Sequence, residues 1–254
     1  MDILRVAALQ MPHGPTLEGN LAKARSMVAQ AREAGATLAL LPEYWFATFA
    51  GPVEPAPLRA FFADASRDII VAGNLIEGGR NLGVVYERGA PLLEQPKIHP
   101  MPREAANGIV GGETWRVAPV AGVPTGMLVC ADVLYPEAAR IVQLLGAQLL
   151  LNPVMSPYRE ADDTKEARDA IFVARAYDAG AFLVKAGGFR RGEPAVAGRS
   201  LVTAPWGVLA RYQNELAEEV LVVDLDLARL DRFRRHQATF PARRPSTYQE
   251  LVRG

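Results

Sequence analysis

The stretch Gly35-Ala36-Thr37-Leu38-Ala39-Leu40-Leu41-Pro42 reads as a helix end running into a buried strand. Thr37 to Leu41 is continuously apolar and too short for a helix between a glycine and a proline. Upstream, Leu17, Leu21, Ala24, Val28 and Ala31 recur at helical spacing after Thr16, which leaves Lys23, Arg25 and Arg32 for the solvent side. Gly35 suits the C-terminal cap of that helix. Arg5 to Gln10, stopped by Pro12, is a further short apolar strand. Strand, helix, strand is the order of an α/β fold.

The same order returns later in the chain. Thr125 to Cys130 is an apolar strand, Pro136 to Leu145 a short helix and Gln148 to Leu151 another strand. Asp163 to Gly180 has the length of a long helix, with Asp163 and Glu166 at capping-box spacing. Ala181 to Lys185 follows as a strand. Asn81 to Tyr86 and Leu92-Leu93 form a hairpin through Arg88-Gly89. Ser200 to Thr203, Val208 to Tyr212 and Val220 to Asp224 form a C-terminal set divided by turns such as Pro205-Trp206-Gly207. Gly146-Ala147-Gln148-Leu149-Leu150-Leu151-Asn152-Pro153 matches the opening stretch at five of eight positions. Either this is chance on shared helix-to-strand chemistry, or the chain has two related halves, each a helix-covered sheet, packed as a four-layer sandwich. No linker rich in Gly, Ser or charge separates them, so residues 1–254 are expected to form a single domain.

Composition narrows the function classes. Of 254 residues 50% are hydrophobic and 22% charged, which excludes a disordered chain. Lys plus Arg and Asp plus Glu are 28 each, so no net charge marks a nucleic-acid or anionic-membrane binder. No apolar run approaches the roughly 18 residues of a membrane span, and Met1-Asp2-Ile3-Leu4-Arg5 lacks the pattern of a secretory signal. The cytoplasm is the expected compartment. Cys130 is the only cysteine, so no internal disulfide forms, and His13, His99 and His236 lack metal-ligand spacing.

Several apolar runs end on a polar or reactive residue beside a proline: Glu43 after Pro42, Lys97 after Pro96, Cys130 before Pro136, and Asn152 before Pro153. Ligands of open α/β sheets bind beyond the carboxyl ends of the strands, where proline turns the chain out of the sheet. An acid, an amine, a thiol and an amide are thereby aimed at one crevice. Taken singly, a lone cysteine is more often a small core residue, and Lys97 or Glu43 a solvated surface charge. Their joint placement at strand ends favours a site. The positive end of the helix opened by Pro136 would favour a thiolate at Cys130.

These residues resemble the nitrilase, or carbon–nitrogen hydrolase, superfamily over Arg5 to Tyr248. Leu40-Leu41-Pro42-Glu43 is similar to its glutamate motif, Lys97-Ile98-His99-Pro100 to its lysine motif, and Cys130-Ala131-Asp132-Val133-Leu134-Tyr135-Pro136-Glu137 to its cysteine motif. The order is right, with gaps of 54 and 33 residues between the three reactive positions. Glu104 matches a second glutamate of many members. Asn152-Pro153, Ala174-Arg175-Ala176-Tyr177 and Gly198-Arg199-Ser200 are further landmarks.

The resemblance implies an α-β-β-α sandwich and a Glu43–Lys97–Cys130 site with no metal and no organic cofactor. It implies cleavage of a non-peptide C–N bond in a small amide. Glu43 would act as base toward Cys130, Lys97 and the Ala131 backbone N–H would hold the oxyanion, and Glu104 would orient Lys97 or substrate. It also implies pairing of two copies across helices near the cysteine, with the tail of approximately 240–254, containing Arg243-Arg244-Pro245 and Tyr248, at a subunit contact. Ala131 replaces a commonly bulky residue, and Leu134 a commonly found arginine. The latter puts a carboxylate-bearing substrate in doubt unless Arg103, Arg159, Arg190 or Arg191 supplies the cation. Tyr44, Trp45, Phe46 and Phe49 are candidate walls of an apolar pocket, and Pro100 to Gly112 and Met155 to Asp163 candidate pocket loops. Alternatives are a nitrile or N-carbamoyl hydrolase with the same site, a catalytically idle binding member of the fold, and a redox protein using Cys130.

Overall fold

The computed structural model describes residues 2–46, 53–157, 167–191 and 196–253. The first half runs β1 (Ile3–Gln10), α1 (Leu17–Glu33), β2 (Leu38–Leu40), α2 (Pro55–Ala65), β3 (Ile70–Glu77), β4 (Arg80–Glu87), β5 (Ala90–Pro96) and α3 (Pro102–Ala106). The second runs β6 (Val117–Val120), β7 (Val123–Met127), α4 (Pro136–Leu144), β8 (Leu149–Val154), β9 (Ser156–Pro157), α5 (Arg168–Ala179), β10 (Phe182–Gly187), β11 (Val196–Ala197), β12 (Leu201–Ala204), β13 (Gly207–Arg211), β14 (Glu219–Asp226) and α6 (Leu227–His236).

Two six-stranded sheets form, ordered β14-β1-β2-β3-β4-β5 and β13-β12-β10-β8-β7-β6. Three apolar layers hold them. Leu4, Val6, Leu38 and Val85 of the first sheet meet Met127, Leu151, Val184 and Val202 of the second between the sheets. Strand residues of opposite parity, Ala7, Ala39 and Val71, pack outward on Met27 and Ala31 of α1 and Phe61 and Phe62 of α2. Leu150 and Leu183 pack outward on Val142 of α4 and Phe172 of α5. Both faces of each sheet are therefore covered, which is why the strands read as unbroken apolar runs. This is the four-layer α-β-β-α sandwich.

The two similar stretches occupy equivalent places. Gly35 and Gly146 both take the left-handed conformation, with φ of 79° and 95°, after α1 and α4. Each releases the chain into a parallel strand, β2 beside β1 and β8 beside β7. Thr16 caps α1 by accepting from Gly19 N.

Three expectations change. The C-terminal set divides: β12 and β13 stay in the second sheet, while β14 pairs antiparallel with β1 and closes the first. The strand expected over Thr125 to Cys130 ends at Met127, because the chain leaves the ladder for a 3-10 turn at Cys130–Leu134. Pro153 lies within β8 rather than ending it, opposite Ala186. The long helix is described from Arg168; Asp163 and Glu166 lie outside the described residues. No described helix is long and apolar enough to cross a membrane.

Candidate active site

The carboxyl ends of β2, β5, β7 and β8 meet at one edge of the sandwich. Pro42 and Glu43 follow β2, and Tyr44 then turns with φ of 54°. Lys97 follows β5, its backbone N–H donating to the Asn81 carbonyl of β4 at 2.8 Å. Cys130 opens the 3-10 turn beyond β7 with φ of 48°. Positive φ is costly for a residue with a Cβ. It is held here from below: Asn152 of β8 donates to the carbonyls of Leu128 and Cys130, the latter at 3.3 Å.

Lys97 sits between two carboxylates. Its Nζ donates to Glu43 Oε1 at 2.8 Å and to Glu104 Oε2 at 2.6 Å. Lys97 and Glu43 are each 1% exposed, so the pair is shielded from water. Glu43 Oε2 accepts from Met155 N at 3.1 Å. The Cys130 sulfur points toward the Met155 carbonyl at 3.9 Å and lies close enough to Glu43 for that carboxylate to raise its pKa. Glu104, at N3 of α3, accepts from Met101 N at 2.8 Å and from the Tyr44 hydroxyl at 2.9 Å.

Electrostatics separates the two glutamates. Burial pushes the Glu43 pKa up, and Lys97 only partly offsets it. Burial acts on Glu104 in the same sense, but hydrogen bonds from Lys97, Met101 and Asn81 outweigh it and hold its pKa down. Two carboxyl groups driven apart in this way take different protonation roles. Burial also disfavours the Lys97 ammonium, yet Glu43, Cys130 and Glu104 more than restore it. Burial, then Glu43, pushes the Cys130 thiol well above its usual value, against Lys97. Desolvation and the adjacent carboxylate thus act against the thiolate that a helix N-terminus would favour.

The four residues Glu43, Lys97, Glu104 and Cys130 thus come together, and Ala131 is buried directly after the sulfur. Trp45 and Phe46 do not wall a pocket. They pack beneath the first sheet, with Trp45 against Phe61 and Phe62. Tyr44 is the one of the group aimed at the site, and Phe49 lies outside the described residues. Leu134 is half exposed, and Arg175 of α5 instead reaches this turn, donating to the Val133 and Leu134 carbonyls. Arg191 donates to the Leu216 carbonyl, and Arg159 is outside the described residues. Among the described residues no group of three or more His, Cys, Asp or Glu is placed to hold a metal ion.

Sequence reasoning passed over Asn74, Asn81 and Asp132 as working parts. Asn81 donates to both Glu43 and Glu104, Asn74 donates to Asn81, and Asp132 ties the lysine and cysteine segments together. Asparagine inside an apolar strand, where it needs a buried partner, was the available signal.

Comparison with known proteins points the same way. The model of the carbon–nitrogen hydrolase family matches residues 5–235. A nitrilase of Pyrococcus abyssi is 29% identical, covering 89% of this chain and 90% of its own. A carbon–nitrogen hydrolase from Helicobacter pylori G27 superposes with a TM-score of 0.89 at 21% identity, covering 100% of this chain and 99% of that one. A glutamate-to-glutamine mutant of the amidase from Nesterenkonia sp. AN1, solved with the acetamide moiety of fluoroacetamide added at its active-site cysteine, superposes with a TM-score of 0.82 at 25% identity, covering 97% of this chain and 96% of that one. Matched by its family model over most of its length and folded as that family's solved members are, this chain belongs to the carbon–nitrogen hydrolase family.

Proposed function

We propose that the protein is an amidase-type hydrolase that cleaves the C–N bond of a small amide through a thioester on Cys130. The observation that carries this reading is the buried Lys97 ammonium bridging Glu43 and Glu104 beside the cysteine. A neutral thiol is a poor nucleophile and needs a base. Glu43, with its raised pKa, takes the Cys130 proton as sulfur attacks the carbonyl carbon. The negative charge that moves to the carbonyl oxygen is met by Lys97 and the Ala131 backbone N–H. Collapse of the tetrahedral intermediate breaks the C–N bond, and Glu43 returns its proton to the leaving ammonia or amine. Water, deprotonated by Glu43, then attacks the thioester; the acid leaves and the thiol regains its proton. Glu104 stays ionised and holds Lys97 in place.

The name of the Pyrococcus relative supports a second reading, a nitrile hydrolase using the same residues. An N-carbamoyl compound presents the same carbonyl chemistry. A panel of small amides, matched nitriles and N-carbamoyl compounds, read by ammonia release, separates them. Amide turnover lost in Cys130→Ala supports the proposal. Turnover of nitriles alone gives the second reading, and no turnover with an unreactive thiol favours an idle binding member. Leu134 in place of an arginine argues against a carboxylate-bearing substrate.

The active unit is read as one domain that pairs with a second copy. Leu134, Tyr135, Ile141, Leu144, Leu145 and Tyr177 are exposed around α4 and α5, directly behind the cysteine turn. The tail of approximately 240–254 exposes Leu251 and Val252 and is assigned to the same contact. Light scattering of the parent and of Leu144→Glu tests this: a dimer or larger assembly that the substitution dissociates supports it, and a monomeric parent refutes it.

A further inference from the structure

Asn81 is fully buried on β4, beside the point where the chain leaves β5 at Lys97. Its Nδ2 donates to Glu43 Oε1 at 2.9 Å and to Glu104 Oε1 at 2.8 Å. Both amide protons are therefore spent on carboxylate oxygens. Its Oδ1 accepts from Asn74 Nδ2 at 2.8 Å, and Asn74 Oδ1 accepts from the Tyr44 backbone N–H at 2.8 Å.

The orientation of this relay is forced. A backbone N–H only donates, so the oxygen of Asn74 must face Tyr44 and its NH2 must face Asn81. The Asn81 oxygen is then taken, and its NH2 must face the glutamates. A flipped Asn81 would set an acceptor against two carboxylates. The relay begins at Tyr44, the residue directly after Glu43, so the backbone that presents the carboxylate also sets the amide that holds it.

The two oxygens of Glu43 end up unlike. Among the described residues Oε1 accepts from Lys97 and Asn81, and Oε2 from Met155 N, with the Cys130 thiol within hydrogen-bonding reach of the same carboxylate. The lone pair left for a proton is on Oε2.

We propose that Asn81, oriented by Asn74, is a positioning residue of this site: it spans Glu43 and Glu104, reserves Glu43 Oε2 for the Cys130 proton, and keeps the two carboxylates adjacent without sharing a proton. This rests on the reading of Glu43 as the base.

The test is alkylation of Cys130, the only thiol in the chain, by iodoacetamide across pH 5 to 10, with melting temperature as the control for folding. Asn81→Asp keeps shape and the Asn74 contact but replaces the donor with an acceptor. It is expected to slow alkylation near pH 7 by about tenfold or more and to move the profile to higher pH. Asn74→Ala frees the Asn81 amide to turn and is expected to move it the same way by less. Parent-like profiles in folded Asn81→Asp and Asn74→Ala would overturn the proposal. If Asn81→Asp does not fold, Asn81→Ser, a single donor of shorter reach, is read in its place by the same criterion. Alkylation needs no amide substrate, so a parent enzyme idle toward amides would defeat the proposed function while leaving this result readable.

Discussion

Asp132 grips His99 twice: its Oδ1 lies 2.9 Å from the His99 backbone nitrogen and 2.8 Å from ring Nδ1. Its Oδ2 accepts from Ile98 N at 3.3 Å and from Val129 N at 3.2 Å. One buried carboxylate thus fastens the segment after Lys97 to the segment before Cys130. Burial raises its pKa, and the donors from His99 and Ile98 work against that rise. The relative placement of ammonium and sulfur depends on this clasp.

Asp132→Ala is accordingly predicted to cost both stability and rate. It strands the backbone N–H groups of Ile98, His99 and Val129, and an unsatisfied buried donor costs about 1–3 kcal/mol. Asp132→Asn keeps an acceptor oxygen and should melt between the parent and the alanine variant. Thermal melting with the ammonia-release assay checks this; an Asp132→Ala protein with parent melting temperature and turnover would contradict it.

Lys97→Met removes the ammonium from between Glu43 and Glu104 while filling most of its volume. Loss of one oxyanion donor lowers turnover by roughly a hundredfold to a thousandfold. The neighbouring carboxylates lose their counter-charge as well, so both should titrate at higher pH. Steady-state kinetics over a pH series measures both effects. Near-parent turnover would remove Lys97 from the reaction.

Lys185 of β10 is a buried cation on the helix-facing side of the second sheet. Its Nζ donates to the Arg199 carbonyl at 2.8 Å and lies 4.9 Å from the centre of the Phe172 ring. Burial, then Arg199 and Arg168, lowers its pKa to about 7, against the opposing pull of Cys130 and Asp169. The folded value is below the unfolded one, so between the two the unfolded chain binds more protons, and stability rises with pH. The penalty is full below about pH 7 and fades as pH climbs toward the ordinary lysine value of 10.5. Lys185→Met should therefore raise the melting temperature at pH 6 to 7 by more than it does at pH 10. A change of equal size at all pH values would contradict the burial of a charge there.

Gly187 ends β10 where the chain passes Gly198. A Cβ at this position would lie 1.7 Å from the Gly198 carbonyl oxygen, a backbone atom that no side-chain movement relieves. Gly187→Ala is predicted to destabilise the fold by more than the 1–3 kcal/mol typical of an overpacked core. Soluble yield and melting temperature test it, and a variant as stable as the parent would be inconsistent with this packing.

The parts legible in the sequence were those with a local signature. Thr16, the apolar spacing of α1 and Gly35 mark a helix and its ends without help from tertiary structure. The prolines beside Glu43 and Lys97, and the turn after Cys130, mark where side chains leave a sheet. Asn81 and Asn74 were opaque because their meaning lies in partners far along the chain, Glu43 and Glu104 for one and Tyr44 for the other. The pairing of β14 with β1 joins the two ends of the chain, and no local pattern states it. Trp45 and Phe46 follow Glu43 so closely that an aromatic wall is the natural reading of the sequence. Their burial against Phe61 and Phe62 depends on α2, whose apolar residues Leu58, Phe61 and Phe62 recur at helical spacing without stating what they cover. What opposes a Cys130 thiolate, desolvation and Glu43, is tertiary and has no mark in the local sequence.

The proposed function requires Cys130 to be the nucleophile of this site. Mass spectrometry of the enzyme acid-quenched during turnover of a small amide tests it most directly, because the chain holds no second cysteine. One acyl group on the quenched parent protein, mapped to the peptide containing Cys130, and none on Cys130→Ala, is the expected result. An acyl adduct or amide turnover that persists in Cys130→Ala would contradict it.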